Sequence, residues 1–325
     1  MKFLLRRLEF YIVALFAAIA TDFFLPRLLP GDPAVTILAP MGSKMTQAQI
    51  DALRKALGLG EEPLWKQFGS FLAHLFQGDL GVSYSAFPNS VTDVIATGFK
   101  WTLLLGLTSL LVSVLLGHLI GIVGAWRRGG LFDATVPPLA NFVGAFPAFF
   151  LALMVLYFLG LKLHWFPISH AVSPGTTPGF SLGYIGSVLR HLVMPLLVSV
   201  LVNLQIWVFT MRNSMVTVLS EDFITMGEAK GLTQRRIMFN YAARNAILPS
   251  VTGFGIFLGS ILGGQVLIEQ VFSYPGLGFQ LVRAVSSRDY PLMGGLFLSI
   301  TTGILVVNFL VDIFYTYIDP RVRRA

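Results

Sequence analysis

Six long apolar stretches constrain the fold of this chain more than any other feature of its sequence. Each holds about 20 predominantly apolar residues, the length that an α-helix needs to cross the hydrocarbon core of a bilayer. The windows are 8–28, 101–125, 136–161, 192–211, 247–269 and 292–316. Only 12% of the residues are charged, against about 25% in soluble domains. The sequence therefore predicts an all-α integral membrane protein with six transmembrane helices.

The first window has an alternative interpretation as a cleavable signal peptide. Lys2, Arg6 and Arg7 precede it, and residues 18–20 resemble a cleavage site. Its apolar stretch is longer than the roughly 7–15 residues typical of such a segment. We therefore interpret it as a retained membrane helix.

Basic residues set the predicted orientation. With the N-terminus in the cytoplasm, 13 of the 23 lysines and arginines fall within about 60 residues of cytoplasmic sequence. Lysine and arginine concentrate in the cytoplasmic loops of membrane proteins. The distribution predicts that both termini are cytoplasmic, and it explains the net charge of +7 without a nucleic-acid partner.

The chain is predicted to divide linearly into three parts. Residues 1–28 form the N-terminal tail and first helix, residues 29–100 an external helical insertion, and residues 101–325 a five-helix core. Within the insertion, residues 43–78 show two amphipathic stripes, the second formed by Leu64, Phe68, Phe71, Leu72 and Leu75. This helical pair either lies on the membrane surface or covers the bundle, or it serves as a docking or gating surface for an external partner. Residues 162–191 are predicted to be an irregular loop.

A charged insert, residues 220–249, interrupts the apolar sequence on the predicted cytoplasmic side. Ser220 can cap a first helix, and Gly231 can adopt the left-handed conformation that ends it. Thr233 can cap a second helix, whose apolar stripe contains Ile237, Tyr241 and Ala242. An amphipathic helix of this kind lies in the lipid interface or enters a groove on another protein, and the pattern alone leaves both open.

The residues of this insert, called the coupling segment below, resemble the cytoplasmic motif of ABC importer permeases. The matching positions are Glu228-Ala229, Gly231 and the ending Ile247-Leu248-Pro249, with Lys230 in place of a second alanine. Further motifs follow in order along the chain, at residues 29–33, 78–83, 269–278, 288–291 and 319–323. As a set they resemble the first permease subunit of dipeptide/oligopeptide ABC importers.

The resemblance implies an assembly in the plasma membrane of a prokaryote. This chain would act with a second, homologous permease, two ATP-binding subunits and an external substrate-binding protein. It also implies that the coupling segment is a coupling helix, which inserts into a cleft of the ATP-hydrolysing subunit. The residues assigned to that contact are Phe223, Met226, Glu228, Ala229, Lys230, Gly231, Leu232 and Arg235.

The chain itself is expected to be a translocation subunit rather than an enzyme. The sequence contains no Gly-x-x-x-x-Gly-Lys-(Ser/Thr) phosphate loop, no metal-binding cluster and no defensible nucleophile–base spacing. ATP and Mg²⁺ are therefore expected on the partner ATPases, and no cofactor is expected in this chain. Oligosaccharides, nickel chelates or glutathione remain alternative cargoes. An ion-coupled secondary transporter or channel, or a non-transporting scaffold, would be a different class of function.

Polar residues within the spans are candidates for the translocation path. Amides are less costly than charges at membrane depth and can hydrogen-bond a neighbouring helix. The candidates are Asn203, Gln205, Gln265 and Asn308, and their alternative role is to hold the bundle together. Asp312, near the cytoplasmic end of the last window, is expected to pair with a basic group.

Two further groups of residues carry expectations. Gly255 and Gly259 have the small-xxx-small spacing of close helix contacts, either with the second permease or within one subunit. Glu269, Tyr274, Pro275 and Gly276 are predicted to close the external mouth or to contact the binding protein, with an ordinary surface turn as the alternative. Pro275-Gly276 suits the central positions of a type II turn.

Overall fold

The computed structural model describes residues 2–28, 63–263 and 265–318, and the side chains of residues 7–24, 63–263 and 265–314. Among these residues, β-structure is limited to one antiparallel bridge between Val82 and Ser90. The predicted first external helix and the motifs at residues 29–33 and 319–323 lie outside the described residues. The all-helical prediction is confirmed for the part of the chain that is described.

The helices begin and end as follows. In chain order they are α1 Lys2–Leu28, α2 Leu64–Phe76, α3 Val91–Trp126, α4 Leu131–Gly144, α5 Ala148–Val155, α6 Leu182–Val218, α7 Asp222–Ala229, α8 Gln234–Arg236, α9 Arg244–Ala246, α10 Leu248–Ile261, α11 Val266–Val271, α12 Leu277–Ser286 and α13 Tyr290–Ile318. Helices α5 and α8 continue directly as π-helical turns over Leu156–Lys162 and Ile237–Ala243.

Several helices can cross a membrane by length and composition. Within the described ranges, α3, α6 and the Tyr290–Phe314 part of α13 meet this test, and α4 with Ala148–Lys162 makes a fourth span if that bent pair is counted as one. Helix α1 coincides with the first predicted window, and α10, with 14 residues, is short for a span of its own. The count of six spans and their orientation therefore stay predictions.

The third window is not one continuous helix, as the apolar run suggested. Helix α4 ends at Gly144, and the following helical segment is bent away from it by 99°. Pro147 precedes α5 with φ −57° and ψ 135°. Proline has no N–H to continue the helical ladder, and its ring pushes the preceding residue out of the helical region. The prediction of a single helix over 136–161 is wrong for this reason.

The fifth window is also broken. Helix α10 ends at Ile261 and α11 begins at Val266, while Gln265 has φ −99° and ψ 62°. The sequence carries Gly263-Gly264 at this point, and glycine is a poor helix former.

Helix α6 begins at Leu182, well before its predicted start, because the Ser181 hydroxyl accepts a hydrogen bond from the Tyr184 N–H at 3.3 Å. The irregular loop is correspondingly shorter than predicted.

Packing divides the chain into two units, residues 1–101 with 275–325 and residues 102–274. In the first unit, α1 packs along α13, and the Tyr11 hydroxyl donates to the Asp312 carboxylate at 2.8 Å. Arg7 lies 3.1 Å from the same carboxylate, which confirms the predicted pairing of Asp312. The three-part linear division predicted from the sequence stays a prediction.

Helix α2 confirms the second amphipathic stripe of the predicted external insertion. Its Phe68 and Phe71 rings lie 5.0 and 5.5 Å from the buried ring of Phe23 on α1. Leu64, the first residue of the predicted stripe, departs from it and is exposed, as is Trp65 beside it. The aromatic contacts hold α2 against α1 within the first unit.

A line of glycines lets helices approach closely in the second unit. A Cβ added at Gly106 or Gly117 of α3 would collide with Ile261 of α10 or Trp207 of α6, and one at Gly121 would lie 2.7 Å from the Val208 carbonyl oxygen. We call Gly106, Gly117 and Gly121 the glycine seam. Small residues at such positions allow backbones to come together without side chains between them.

Candidate functional site

The coupling segment folds as a helix, a left-handed turn and a second helical stretch, as the sequence predicts. Helix α7 ends in a Schellman motif: the Gly231 N–H donates to the Glu228 carbonyl at 2.8 Å, and the Leu232 N–H to the Gly227 carbonyl at 3.2 Å. Gly231 has φ +71°, a conformation in which a side chain is strained. The turn therefore favours glycine at this position, or a residue such as asparagine that tolerates the left-handed conformation.

Helix α7 has one face packed against the chain and one face exposed. Ile224 is 4% exposed and lies in a cluster with Met211, Met215 and Ile237. Met226 is 58% exposed and Phe223 38%. Of the other predicted contact residues, Glu228, Ala229, Lys230, Gly231 and Arg235 are exposed, and Leu232 is half-buried against the cluster. Leu232 thus supports the turn from inside, while the remaining residues form an accessible surface.

The capping prediction for this segment is partly wrong. Glu221, not Ser220, occupies the position before α7, and the Ser220 hydroxyl donates instead to the Thr217 carbonyl at 2.7 Å. Thr233 does precede the second helical stretch, without a side-chain capping bond. Ile237 and Ala242 are buried, which confirms the predicted apolar stripe.

An ion pair that the sequence reasoning missed holds α4 to α6 next to this cluster. The Arg212 guanidinium contacts the Asp133 carboxylate through two hydrogen bonds, of 2.6 and 2.8 Å. The Gly129 N–H donates to the same carboxylate at 3.1 Å. Met211 and Met215, on either side of Arg212 in the chain, belong to the cluster under α7. The only sequence signal was a lone arginine directly after an apolar window, which does not identify its partner.

Substituting Arg212 is expected to destabilise the protein. Arg212→Ala leaves the Asp133 carboxylate, whose side chain is 8% exposed, without its two charge-assisted bonds. The expected loss is about 2 kcal/mol of unfolding free energy, measured by SDS titration in mixed micelles. Arg127→Ala, at an exposed arginine of the neighbouring loop that does not act on Asp133, is the matched control and should change stability by less than about 0.5 kcal/mol. Equal losses for the two variants would contradict a stabilising role of the ion pair.

The predicted path residues lie in different surroundings. Asn203 and Gln265 line a cavity of about 430 Å³ in the second unit. The Gln205 amide donates to the Gly144 carbonyl at 3.0 Å, where α4 ends. Asn308 is half-buried on α13 in the first unit. The structure thus brings two of the four candidates to one cavity and uses a third to hold two helices together.

The predicted external gate residues are more buried than expected. Glu269 and Tyr274 are 0% exposed, Gly276 is buried, and Pro275 is half-buried. The Thr102 hydroxyl donates to the Glu269 carboxylate at 2.8 Å, and the Tyr274 N–H to the Glu269 carbonyl at 2.7 Å. Burial raises the pKa of the Tyr274 hydroxyl, and the neighbouring Glu269 and Tyr184 raise it further. The gate role of these residues stays a prediction.

The predicted type II turn at Pro275-Gly276 is wrong. Gly276 has φ −80° and ψ −179°, whereas the third position of that turn needs a positive φ. Gly276 instead precedes α12 as its N-cap residue. The positive φ in this region belongs to Ser273, at +46°. The chain therefore reverses earlier than the Pro-Gly pair suggested.

Two sequence motifs meet at Asp289 in the first unit. Its carboxylate accepts hydrogen bonds from the Ser83 hydroxyl at 2.6 Å, from the Ser85 N–H and hydroxyl at 2.8 and 2.9 Å, and from the Leu292 N–H at 3.1 Å. Asp289 is 0% exposed. It therefore caps the start of α13 and fixes the 78–85 loop to it, which explains why serines and an aspartate stand at these positions.

Gly255 and Gly259 are both buried within this chain, while Ile256 and Ser260 beside them on α10 are exposed. The two glycines therefore pack inside the second unit. Their predicted role at an interface with another permease is not tested by this arrangement and stays a prediction.

Comparison with known protein families gives matches over nearly the whole chain. Residues 113–324 match the family described as the binding-protein-dependent transport system inner membrane component. Residues 1–103 match the N-terminal family of the same membrane components.

Curated relatives match the chain end to end. A putative peptide permease protein of Brucella suis is 37% identical over 323 residues, covering 99% of each chain. The di/tripeptide transport system permease protein DppB of Pseudomonas aeruginosa is 35% identical over 340 residues, and the dipeptide transport system permease protein DppB of Escherichia coli is 33% identical over 341 residues. Both alignments cover 99% of each chain.

Proposed function

The chain belongs to the family of binding-protein-dependent transport system inner membrane components, and from this we propose that it is a permease subunit of an ATP-driven importer of short peptides. The proposal that the cargo is a short peptide rests on the end-to-end similarity to relatives named for peptide, di/tripeptide and dipeptide transport. No comparable observation favours oligosaccharides, nickel chelates or glutathione.

The proposed assembly contains a second, homologous permease, two ATP-binding subunits and an external substrate-binding protein. The family description supports the binding protein and the location in the inner membrane of a prokaryote. ATP and Mg²⁺ would be bound by the ATP-binding subunits. The role of this chain is to form one half of the path and to receive mechanical work.

The exposed face of α7 is the surface proposed to receive that work. Phe223 and Met226 project from a helix whose other face is anchored in the cluster around Ile224. Burying each such side chain in a partner cleft contributes about 1.5–3 kcal/mol, which suits a contact that forms firmly and still separates. Because α7 is packed on α6 residues, a displacement of α7 is passed to α6.

The proposed mechanism is alternating access between inward-open and outward-open states. Closure of the ATP-binding subunits displaces the docked α7 and tilts the bundle, and the loaded binding protein then releases its peptide into the path. Nucleotide and binding protein shift this equilibrium only through different affinities for the two states.

Uptake by the reconstituted assembly tests the proposal. In proteoliposomes with ATP inside and the loaded binding protein outside, radiolabelled alanyl-phenylalanine is expected to accumulate only when ATP is present. A protonophore should leave this uptake unchanged, and liposomes prepared without this chain are the control. Uptake that persists without ATP and follows a proton or sodium gradient would overturn the proposal in favour of an ion-coupled transporter.

A further inference from the structure

We propose that the cavity of about 430 Å³ in the second unit binds an apolar side chain of the transported peptide, so that the permease itself selects among peptides. The inference rests on the proposed function for its cargo class. The cavity would give this chain a binding site with a preference for apolar side chains, in addition to its proposed role in forming the path.

The walls of this cavity are mainly apolar. Helix α3 contributes Leu110, α6 contributes Trp207, and α10 contributes Phe257 and Ile261. The Trp207 and Phe257 rings lie 5.4 Å apart, in a tilted pair. The volume is within the range of about 300–1,000 Å³ found for small-molecule sites, which are likewise mostly apolar. A leucine or phenylalanine side chain suits such a space, whereas a charged side chain would lose its hydration without finding a counter-ion among the lining residues.

Hydrogen-bonding groups border the same cavity. The Gln265 amide donates to the Ser109 hydroxyl at 3.1 Å and accepts from the Ser199 hydroxyl, and the Asn203 amide donates to the Ser199 carbonyl at 2.8 Å. The bonds made within the described part of the chain use one N–H of each amide, so a second N–H remains on each. Amides held in this way present fixed partners for the backbone of a peptide whose side chain enters the cavity.

The break between α10 and α11 supports a binding role for this place. Gln265, with its non-helical backbone, and Val266 to Ile268 are among the residues that line the cavity. Irregular backbone within membrane helices is tolerated where it is buried in protein or lines a cavity, and interrupted helices are a common element of transporter binding sites. A side chain of the second permease, or a lipid chain, could fill the space without this arrangement of amides.

Filling the cavity tests the proposal. Ala148, at the start of α5, lines the cavity and is half-buried, so Ala148→Leu places a larger apolar side chain in it. Ala145→Leu is the matched control, because Ala145 is exposed, lies in the same bend and is not a lining residue. Uptake of radiolabelled alanyl-phenylalanine and alanyl-alanine is measured in the complete transporter with its own binding protein.

We expect Ala148→Leu to lower the ratio of alanyl-phenylalanine to alanyl-alanine uptake about tenfold, in line with the selectivity of apolar pockets. Ala145→Leu should leave the ratio unchanged. An unchanged ratio in Ala148→Leu would overturn the cavity proposal while the proposed function stands. Failure of the unsubstituted transporter to take up either dipeptide would instead count against the proposed function.

A photoreactive dipeptide gives a measurement that does not depend on a variant. Alanyl-photoleucine, activated during turnover, is expected to label residues of the cavity, and excess alanyl-phenylalanine should suppress the labelling. Labelling confined to lipid or to the second permease would show that the peptide side chain does not enter the cavity, and the proposal would fail.

Discussion

Replacing Gly231 with proline is expected to reduce peptide uptake to the level of cells that lack the chain, while the protein remains in the membrane. Gly231 has φ +71°, and proline is restricted to φ near −65°. Proline also lacks the N–H that Gly231 donates to the Glu228 carbonyl. The Schellman turn therefore cannot form, and the exposed face of α7 loses its fixed position relative to α6.

Two control variants separate this effect from general damage. Gly231→Asn should retain most uptake, since asparagine is among the residues that tolerate the left-handed conformation. Gly175→Pro replaces another exposed glycine, with φ +78°, in the loop before α6, and should not uncouple transport.

Because the chain has no cysteine, Met226→Cys carries a single photoreactive label. We expect this label to react with an ATP-binding subunit and Gly231→Pro to weaken that reaction. Equally strong labelling with and without Gly231→Pro would contradict the coupling role of the turn.

Replacing Asp289 with alanine is expected to cost about 3 kcal/mol or more of unfolding free energy. The carboxylate is fully buried and accepts hydrogen bonds from two serines and from the first turn of α13. Removing it leaves buried donors unsatisfied, at about 1–3 kcal/mol, and deletes a helix cap, at about 0.5–2 kcal/mol. SDS titration in mixed micelles measures the global effect, and hydrogen exchange of residues 79–90 measures release of the loop.

Asp93→Ala is the matched control for this substitution. Asp93 also lies in the first turn of a helix and accepts a hydrogen bond from the Ser90 hydroxyl at 2.6 Å, but it is exposed. We expect a loss of about 1 kcal/mol or less, because water replaces the missing partner. If Asp289→Ala left the exchange of the 79–90 loop unchanged, the carboxylate would not be what holds that loop.

Local sequence patterns predicted the parts of the structure that depend on near neighbours. The period of apolar residues located α2, and Gly231 marked the end of α7 because a left-handed turn needs glycine there. The pairing of Asp312 with a basic group followed from the cost of a charge near the membrane. In each case the physical cause acts within a few residues or is imposed by the bilayer itself.

The features that sequence reasoning missed depend on breaks and on distant partners. Hydropathy does not reveal the breaks at Pro147 and before Gln265, because both lie within apolar runs that are long enough to form a span. Asp289 and Ser83 are separated by 206 positions, so no local pattern joins them. The burial of Glu269 was missed for the same reason, since its partner Thr102 is 167 positions away.

The glycine seam limits how the second unit can move. At Gly117 and Gly121 the backbones of α3 and α6 approach closely, so rotation of either helix about its own axis would bring larger side chains into a contact that has no room for a Cβ. We therefore expect the parts of α3, α6 and α10 that meet at these contacts to move together. We expect a torque on the part of α6 that follows Pro195 to reach α3 through these contacts, with little sliding between the two helices.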